Sequence, residues 1–235
     1  YSSNIFPDLR YGGLYVFDKE GNILPGWPVM KGYNFWSSPS LADLDNDGDL
    51  EIIASKLGFE TYVYHHDGQM VSGWPQVTSW NDYYSTVAGD INNDKKIDIL
   101  TTAGNYLYGN MEGGVYAWNS SGEILHGFPK ATEVDAQAPV AIADLDGNGK
   151  VDIIASSDLD FDGNGSKNRG SIYVWELPNQ YDVKNMPWST FHHDVQRTGL
   201  YTPLSVSATT SSLVITNPKD GDVVVPNSKI SIVAE

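Results

Sequence analysis

Asp43-Leu-Asp45-Asn-Asp47-Gly48-Asp49-Leu-Glu51 decides the reading of this chain, because the same pattern returns twice. It comes back as Asp90-Ile-Asn92-Asn-Asp94-Lys95-Lys96-Ile-Asp98 and as Asp144-Leu-Asp146-Gly-Asn148-Gly149-Lys150-Val-Asp152. Each copy lies between two apolar runs and sets oxygen-bearing side chains at positions 1, 3, 5 and 9 of a nine-residue loop. Several carboxylate or amide oxygens converging with a backbone carbonyl suit a hard cation such as Ca²⁺. An EF-hand is the competing motif, but it requires Glu at position 12 and flanking helices. Here position 12 is Ala54, Thr101 or Ala155, inside an apolar run of strand character.

The acidic loops also account for the charge. The 235 residues carry a formal charge of −16, with only 14 Lys plus Arg. Fourteen of the thirty acidic residues fall in the three loops and in a fourth stretch at 158–162. Clustered carboxylates repel one another unless a cation intervenes, so the composition predicts metal-dependent folding. The same sign excludes nucleic acid as a partner, since phosphate attraction needs basic surface. No cysteine is present, hence no disulfide and no thiolate site. No run of 18 apolar residues exists to span a membrane.

Outward from the loops, other features move in step with them. The first aspartates, 43, 90 and 144, are separated by 47 and 54 residues. Gly26-Trp27-Pro28, Gly73-Trp74-Pro75 and Gly127-Phe128-Pro129 keep that spacing, as do Gly21, Gly68 and Gly122, and Tyr15, Tyr62 and Tyr116. Four features in one register mark an internal repeat. Within a unit, Ser38–Ala42 enters the acidic loop and Glu51–Ala54 leaves it. Tyr62–His65 follows, then the Asp67-Gly68 turn, then Gly73–Val77. These runs are short and rich in β-branched and aromatic residues, and no sustained 3.6-residue period appears. The expected class is all-β. Four strands in roughly 45 residues is the size of one propeller blade.

The run Leu41-Ala-Asp-Leu-Asp-Asn-Asp-Gly-Asp-Leu-Glu-Ile-Ile-Ala54, its counterpart from Ala138 to Ala155, and Val115-Tyr-Ala-Trp118 resemble the FG-GAP (VCBS-type) repeat. That repeat builds the integrin alpha-subunit β-propeller and recurs in secreted microbial proteins. The resemblance covers about residues 11–201. It implies calcium loops joining the first and second strands of each blade. Gly-Trp-Pro and Gly-Phe-Pro stand where integrins differ, which points to microbial relatives. On this reading Asp43, Asp45, Asp47 and Glu51 ligate one ion with the Asp49 carbonyl. Asp90, Asn92, Asp94 and Asp98 take a second with the Lys96 carbonyl. Asp144, Asp146, Asn148 and Asp152 take a third with the Lys150 carbonyl.

Two loops depart from the pattern. Lys95 stands where the siblings carry Gly48 or Gly149, at a position that needs a sharp turn, so the second site is expected to be the weakest. Asp158, Asp160 and Asp162 form half a loop, with Ser166 at position 9, and read equally as a fourth cation site or as a solvated loop.

The expected division is 1–201 as propeller blades, 202–212 as a Ser/Thr-rich linker, and 213–235 as the start of a bacterial Ig-like β-sandwich. Residues 11–30 supply the last two strands of one blade, 36–77 and 84–130 two whole blades, and 138–201 a longer final one. Three and a half blades fall short of the four to eight of a closed ring. The chain also opens inside a repeat, which predicts further blades ahead of Tyr1 or partner chains that complete the propeller or the Ig-like module.

Met186-Pro-Trp188 through His192-His193-Asp194 to Tyr201 resembles the segment that follows the last repeat in secreted relatives. On a strand, adjacent histidines point to opposite faces, so a structural role at the ring closure is favoured over a shared metal. No nucleophile elbow, phosphate loop or His-Glu-x-x-His occurs. None of the five histidines has ligand spacing. Trp27, Trp74 and Phe128 recur in register, which predicts packing between blades. Trp36, Trp80, Tyr83 and Tyr84 lie near strand starts, where rings serve rim packing or stack on sugars.

The reading that unites these features is an extracellular or cell-surface, calcium-binding propeller segment. It serves adhesion or ligand binding, toward a protein or a carbohydrate, and is not an enzyme. Two alternatives stand beside it: an accessory region of a secreted subtilisin-like peptidase or polysaccharide lyase, and a structural subunit of a surface layer or filament.

Overall fold

The structure, a computed structural model, describes residues 12–29, 35–56, 60–79, 84–104, 113–132, 136, 138–157 and 170–201, with the backbone of 213–215 and 232–234. The predicted linker at 202–212, the half-loop of Asp158, Asp160 and Asp162, and Trp80 and Tyr83 lie outside these residues.

Among the described residues the fold is all-β and every strand pairing is antiparallel. The first sheet runs β1 (Ser40–Ala42), β2 (Glu51–Ser55), β3 (Glu60–Tyr64) and β4 (Gln76–Val77), in that spatial order. The second repeats it with β5 (Val87–Gly89), β6 (Asp98–Ala103), β7 (Gly114–Trp118) and β8 (Lys130–Ala131). The third holds β9 (Ala141–Ala143), β10 (Lys150–Ser156) and β11 (Ile172–Gln180). Residues 14–29 fold back on themselves ahead of these, with Leu14 bridged to Val29 and Phe17 to Ile23. The region expected to open a sandwich contributes one pair, β12 (Leu213–Ile215) with β13 (Ile232–Ala234). A single 3₁₀ turn, Val183–Asn185, is the helical element among the described residues.

The sheets stack face to face, which explains why β2 and β6 are buried on both faces. Every residue of β2 and of β6 is buried. Successive side chains on a strand point to opposite faces. Ile52 and Ala54 therefore join Leu14, Trp27, Tyr62 and Tyr64 on one side of the first sheet. Ile53 and Val63 meet Ala88, Ile99 and Trp118 of the second sheet on the other. Leu100 and Val115 then face Val140, Ile142, Val151 and Ile153 of the third.

The in-register tryptophans join successive units, as their spacing predicts. Trp27 is buried and its indole N–H donates to the His66 carbonyl at 2.9 Å. Trp74 repeats this on the Ser120 carbonyl at 3.0 Å. In both cases the acceptor lies beside the turn between the third and fourth strands of the next unit. The preceding glycines permit the approach: a Cβ on Gly26 would lie 1.8 Å from the Asp67 carbonyl oxygen, and one on Gly73 would lie 2.1 Å from that of Ser121.

The third sheet departs from the four-strand expectation, since its described residues form three strands. After β11 the chain does not return along the outer edge. Tyr181 and Met186 pack into the cluster between the second and third sheets, and the chain follows them inward. Residues 185–189 then run between the first strands of those sheets. Asp90 N–H donates to Asn185 O, Ala88 and Trp188 exchange backbone bonds, and Ile142 N–H donates to Ser189 O. The histidines that follow are not on a strand. His192 and His193 sit in a tight turn with φ of 58° and 80°.

Candidate cation sites

Each acidic loop joins the first strand of its sheet to the second, and the three are built alike. The position-1 carboxylate accepts from the position-6 N–H: Gly48 to Asp43 at 3.2 Å, Lys95 to Asp90 at 3.0 Å, Gly149 to Asp144 at 2.9 Å. Asp45, Asn92 and Asp146 at position 3 accept from the N–H groups of Asp47, Asp94 and Asn148. Position 5 in turn accepts from Asp49, Lys96 and Lys150, which fixes the backbone of the residues expected to offer carbonyls. Position 9 reaches back to position 2: Glu51 accepts from Leu44, Asp98 from Ile91 and Asp152 from Leu145, at 2.8, 3.1 and 2.8 Å. All fifteen residues singled out in the sequence thus fall on three equivalent turns.

One atom in each turn is left over. The second position-1 oxygen, Oδ1 of Asp43, Asp90 and Asp144, is buried and has no hydrogen-bond partner. A buried carboxylate oxygen without a donor is costly, and here the same orphan recurs three times at one loop position. A cation is the partner that would satisfy all three. The donor set around each orphan is hard oxygen, which suits Ca²⁺ or Mg²⁺ better than a soft metal.

The surrounding carboxylates are crowded. Oxygens of Asp43, Asp45 and Asp47 lie within 4.8 Å of one another, as do those of Asp144, Asp146 and Asp152. Burial, then the charges of Asp94 and Asp90, push the Asp98 carboxyl up to about 8. Burial likewise raises Glu51 and Asp152 above the ordinary carboxylate range. Position 9 is thus the strained member in every loop when no cation is bound.

Backbone conformation follows the position-6 argument. Gly48 and Gly149 adopt φ of 95° and 81°, and Lys95 is held at 69° without the freedom of glycine. The second loop is clasped from outside instead. Asn93 and Gln180 exchange two bonds, Nδ2 to O at 2.9 Å and N to Oδ1 at 2.7 Å, and Asn179 donates to the Asn92 carbonyl.

Two residues at these sites escape sequence spacing. His65 places Nδ1 3.1 Å from Glu51 and 4.0 Å from Asp45, so one histidine does join a ligand-like set. Glu176 takes Lys150 Nζ and Asn148 Nδ2 at 2.6 Å each. Strand register explains both. Ile52 pairs with Tyr64, which brings the next residues, Glu51 and His65, side by side, and Asp152 pairs with Glu176.

The opposite ends of the first strands carry a different surface. Ser38 donates its N–H to Ser85 Oγ at 3.0 Å, and Ser38 Oγ meets His192 Nε2 at 2.9 Å. His193 packs edge-on against Trp188. Both histidines serve the packing of the 186–199 turn onto the sheets. Trp36 is 64% exposed.

No family model matches the chain, and no curated protein matches it. Among solved structures the chain is similar to the biofilm matrix protein Bap1 of V. cholerae, with 20% sequence identity and a TM-score of 0.33. The match covers 71% of this chain and 31% of that one, so the chain spans about a third of the protein it matches.

Proposed function

We propose that the three turns are Ca²⁺ sites of an FG-GAP-type β-propeller segment that serves extracellular adhesion or ligand binding without catalysis. The observation that carries the metal reading is the unpartnered Oδ1 of Asp43, Asp90 and Asp144. Each would bind the ion together with the oxygens at positions 3, 5 and 9 and the position-7 carbonyl. The metal supplies charge neutralisation and a fixed turn, and the chain's residues do the rest. Asp43, Asp90 and Asp144 tie positions 1 and 6 together, and Glu51, Asp98 and Asp152 close the turn onto position 2.

In this reading the two four-stranded sheets are blades, residues 138–201 form the last blade, and 213–235 open an Ig-like module after a linker. Face-to-face stacking through Trp27 and Trp74 supports the blade interpretation. Sites of the weak extracellular type fill at roughly 10⁻⁴–10⁻³ M free calcium, which is the basis for placing the segment outside the cell.

The test is calorimetric titration of the calcium-stripped chain with CaCl₂, with MgCl₂ as control, alongside thermal melts. Calcium heat that declines in Asp43→Ala, Asp90→Ala and Asp144→Ala separately is the expected result. A flat titration together with a melting temperature indifferent to chelator would overturn the metal reading.

A further inference from the structure

The first strands β1, β5 and β9 have acidic loops at one end and, at the other, a cavity of about 650 Å³. That volume lies within the range of small-molecule sites. Its wall combines three kinds of group. Trp36, Tyr84 and Phe191 supply aromatic surface, and Trp36 is 64% exposed despite its size. Thr190 supplies a hydroxyl that is buried and has no hydrogen-bond partner. Arg197 supplies a cation in a chain whose formal charge is −16.

The acid that also lines the cavity does not neutralise that cation. The Asp194 carboxylate is taken up by Thr198, whose N–H and Oγ1 donate at 3.0 and 2.6 Å, and by His193 Nδ1 at 3.3 Å. Burial opposes ionisation of Asp194, but the Thr198 and His193 bonds outweigh it and hold the group at about 2. Arg197 itself is anchored by its backbone, whose N–H donates to Asp194 O at 2.9 Å with φ at 57°. Its guanidinium makes no ion pair with a described residue. A planar fork of N–H donors is suited to a carboxylate taken bidentately.

We infer that this cavity binds an acidic saccharide, a sugar unit whose C–H face lies on the Trp36 ring and whose carboxylate meets Arg197. The combination selects this class. A neutral sugar stacks on the ring but forgoes the charged pair, and a simple carboxylate pairs with Arg197 but forgoes the ring. The inference does not require that calcium be the loop ion, only that the sheets be folded.

The experiment titrates the whole chain, in calcium-containing buffer, with 3′-sialyllactose and with hyaluronan tetrasaccharide, using lactose as the neutral counterpart. Binding is read by tryptophan fluorescence and by calorimetry. At least one acidic probe is expected to bind ten-fold or more tightly than lactose, with affinity that falls as salt rises. Arg197→Gln should abolish the preference over lactose, Arg197→Lys should restore part of it, and Trp36→Ala should weaken all binding about ten-fold. Unchanged melting temperatures in these variants separate loss of ligand from loss of fold. Failure of both acidic probes at millimolar concentration, equal binding of lactose, or affinity indifferent to both substitutions would each overturn the inference. A chain that shows no calcium response yet binds the acidic probe would leave this site standing and remove the metal reading.

Discussion

Trp74 donates its indole N–H to the backbone carbonyl of Ser120, 46 residues ahead and one sheet further on. Trp27 does the same to His66 across the preceding junction. The bond joins neighbouring sheets and so belongs to their stacking rather than to any one hairpin. Trp74→Phe removes the donor and part of the buried indole volume, so it is expected to destabilise by about 2–3 kcal/mol. That corresponds to a melting temperature lower by about 4–12 °C for a chain of this size. Gly73→Ala should cost more, because its Cβ would lie 2.1 Å from the Ser121 carbonyl oxygen at a φ of 92°. Thermal melts in calcium-containing buffer check both. A Gly73→Ala chain as stable as the parent would show that this junction is not tight.

Much of that stacking is legible in the sequence. The spacing of 47 and 54 shared by Gly-Trp-Pro and the acidic loops located the turns, and the Glu51–Ala54 run located a strand buried on both faces. His65 was not legible. It meets Glu51 through cross-strand register, and proximity of that kind leaves no trace in linear spacing. Nor was the course of the chain after β11, which depends on Tyr181 and Met186 finding a place between two sheets, a packing fact with no periodicity to announce it. The cavity around Thr190 was half legible. Trp36 and Tyr84 were visible as candidate stacking rings, whereas the Arg197 and Asp194 geometry arises in a turn that reads as a strand end.

Lys95 gives the sharpest local test of loop conformation. It is held at a φ of 69° where the sibling loops use glycine. A left-handed residue with a Cβ costs roughly 1–2 kcal/mol, and glycine returns part of that as lost chain entropy. Lys95→Gly should therefore stabilise the chain by up to about 1 kcal/mol. Removing a positive charge beside Asp90 and Asp94 should also tighten cation binding at that loop. Calcium titration of Lys95→Gly against the parent checks this. Weaker binding would mean that the clasp of Asn93 on Gln180 had already set the turn.

That clasp carries its own prediction. Asn93 and Gln180 exchange two hydrogen bonds, and Asn93 sits at a φ of 60°. Asn93→Ala removes both bonds and puts a residue poorly suited to that conformation in its place. The expected loss is about 1–2 kcal/mol, with calcium affinity falling at the second loop and unchanged at the first. Site-resolved titration, with the Asp43 or Asp90 loop disabled in turn, separates the two. An equal loss at both loops would show a global rather than a local effect.

Asp98 predicts how the metal-free chain responds to pH. Burial, reinforced by Asp94 and Asp90, moves its carboxyl from 3.8 to about 8. Between those values the folded chain binds more protons than the unfolded one, so stability falls as pH rises through that window. The loss is complete above about 8. Glu51 and Asp152 are raised by burial as well and act in the same direction. A bound cation favours the ionised carboxylates and turns the slope round. Urea unfolding of the calcium-stripped chain is therefore expected to give a higher midpoint at pH 5.5 than at pH 8. Calcium should reverse that order, and Asp98→Asn should flatten the metal-free slope. A metal-free midpoint that rises with pH would mean that the position-9 carboxylates are ionised and partnered by something other than a cation.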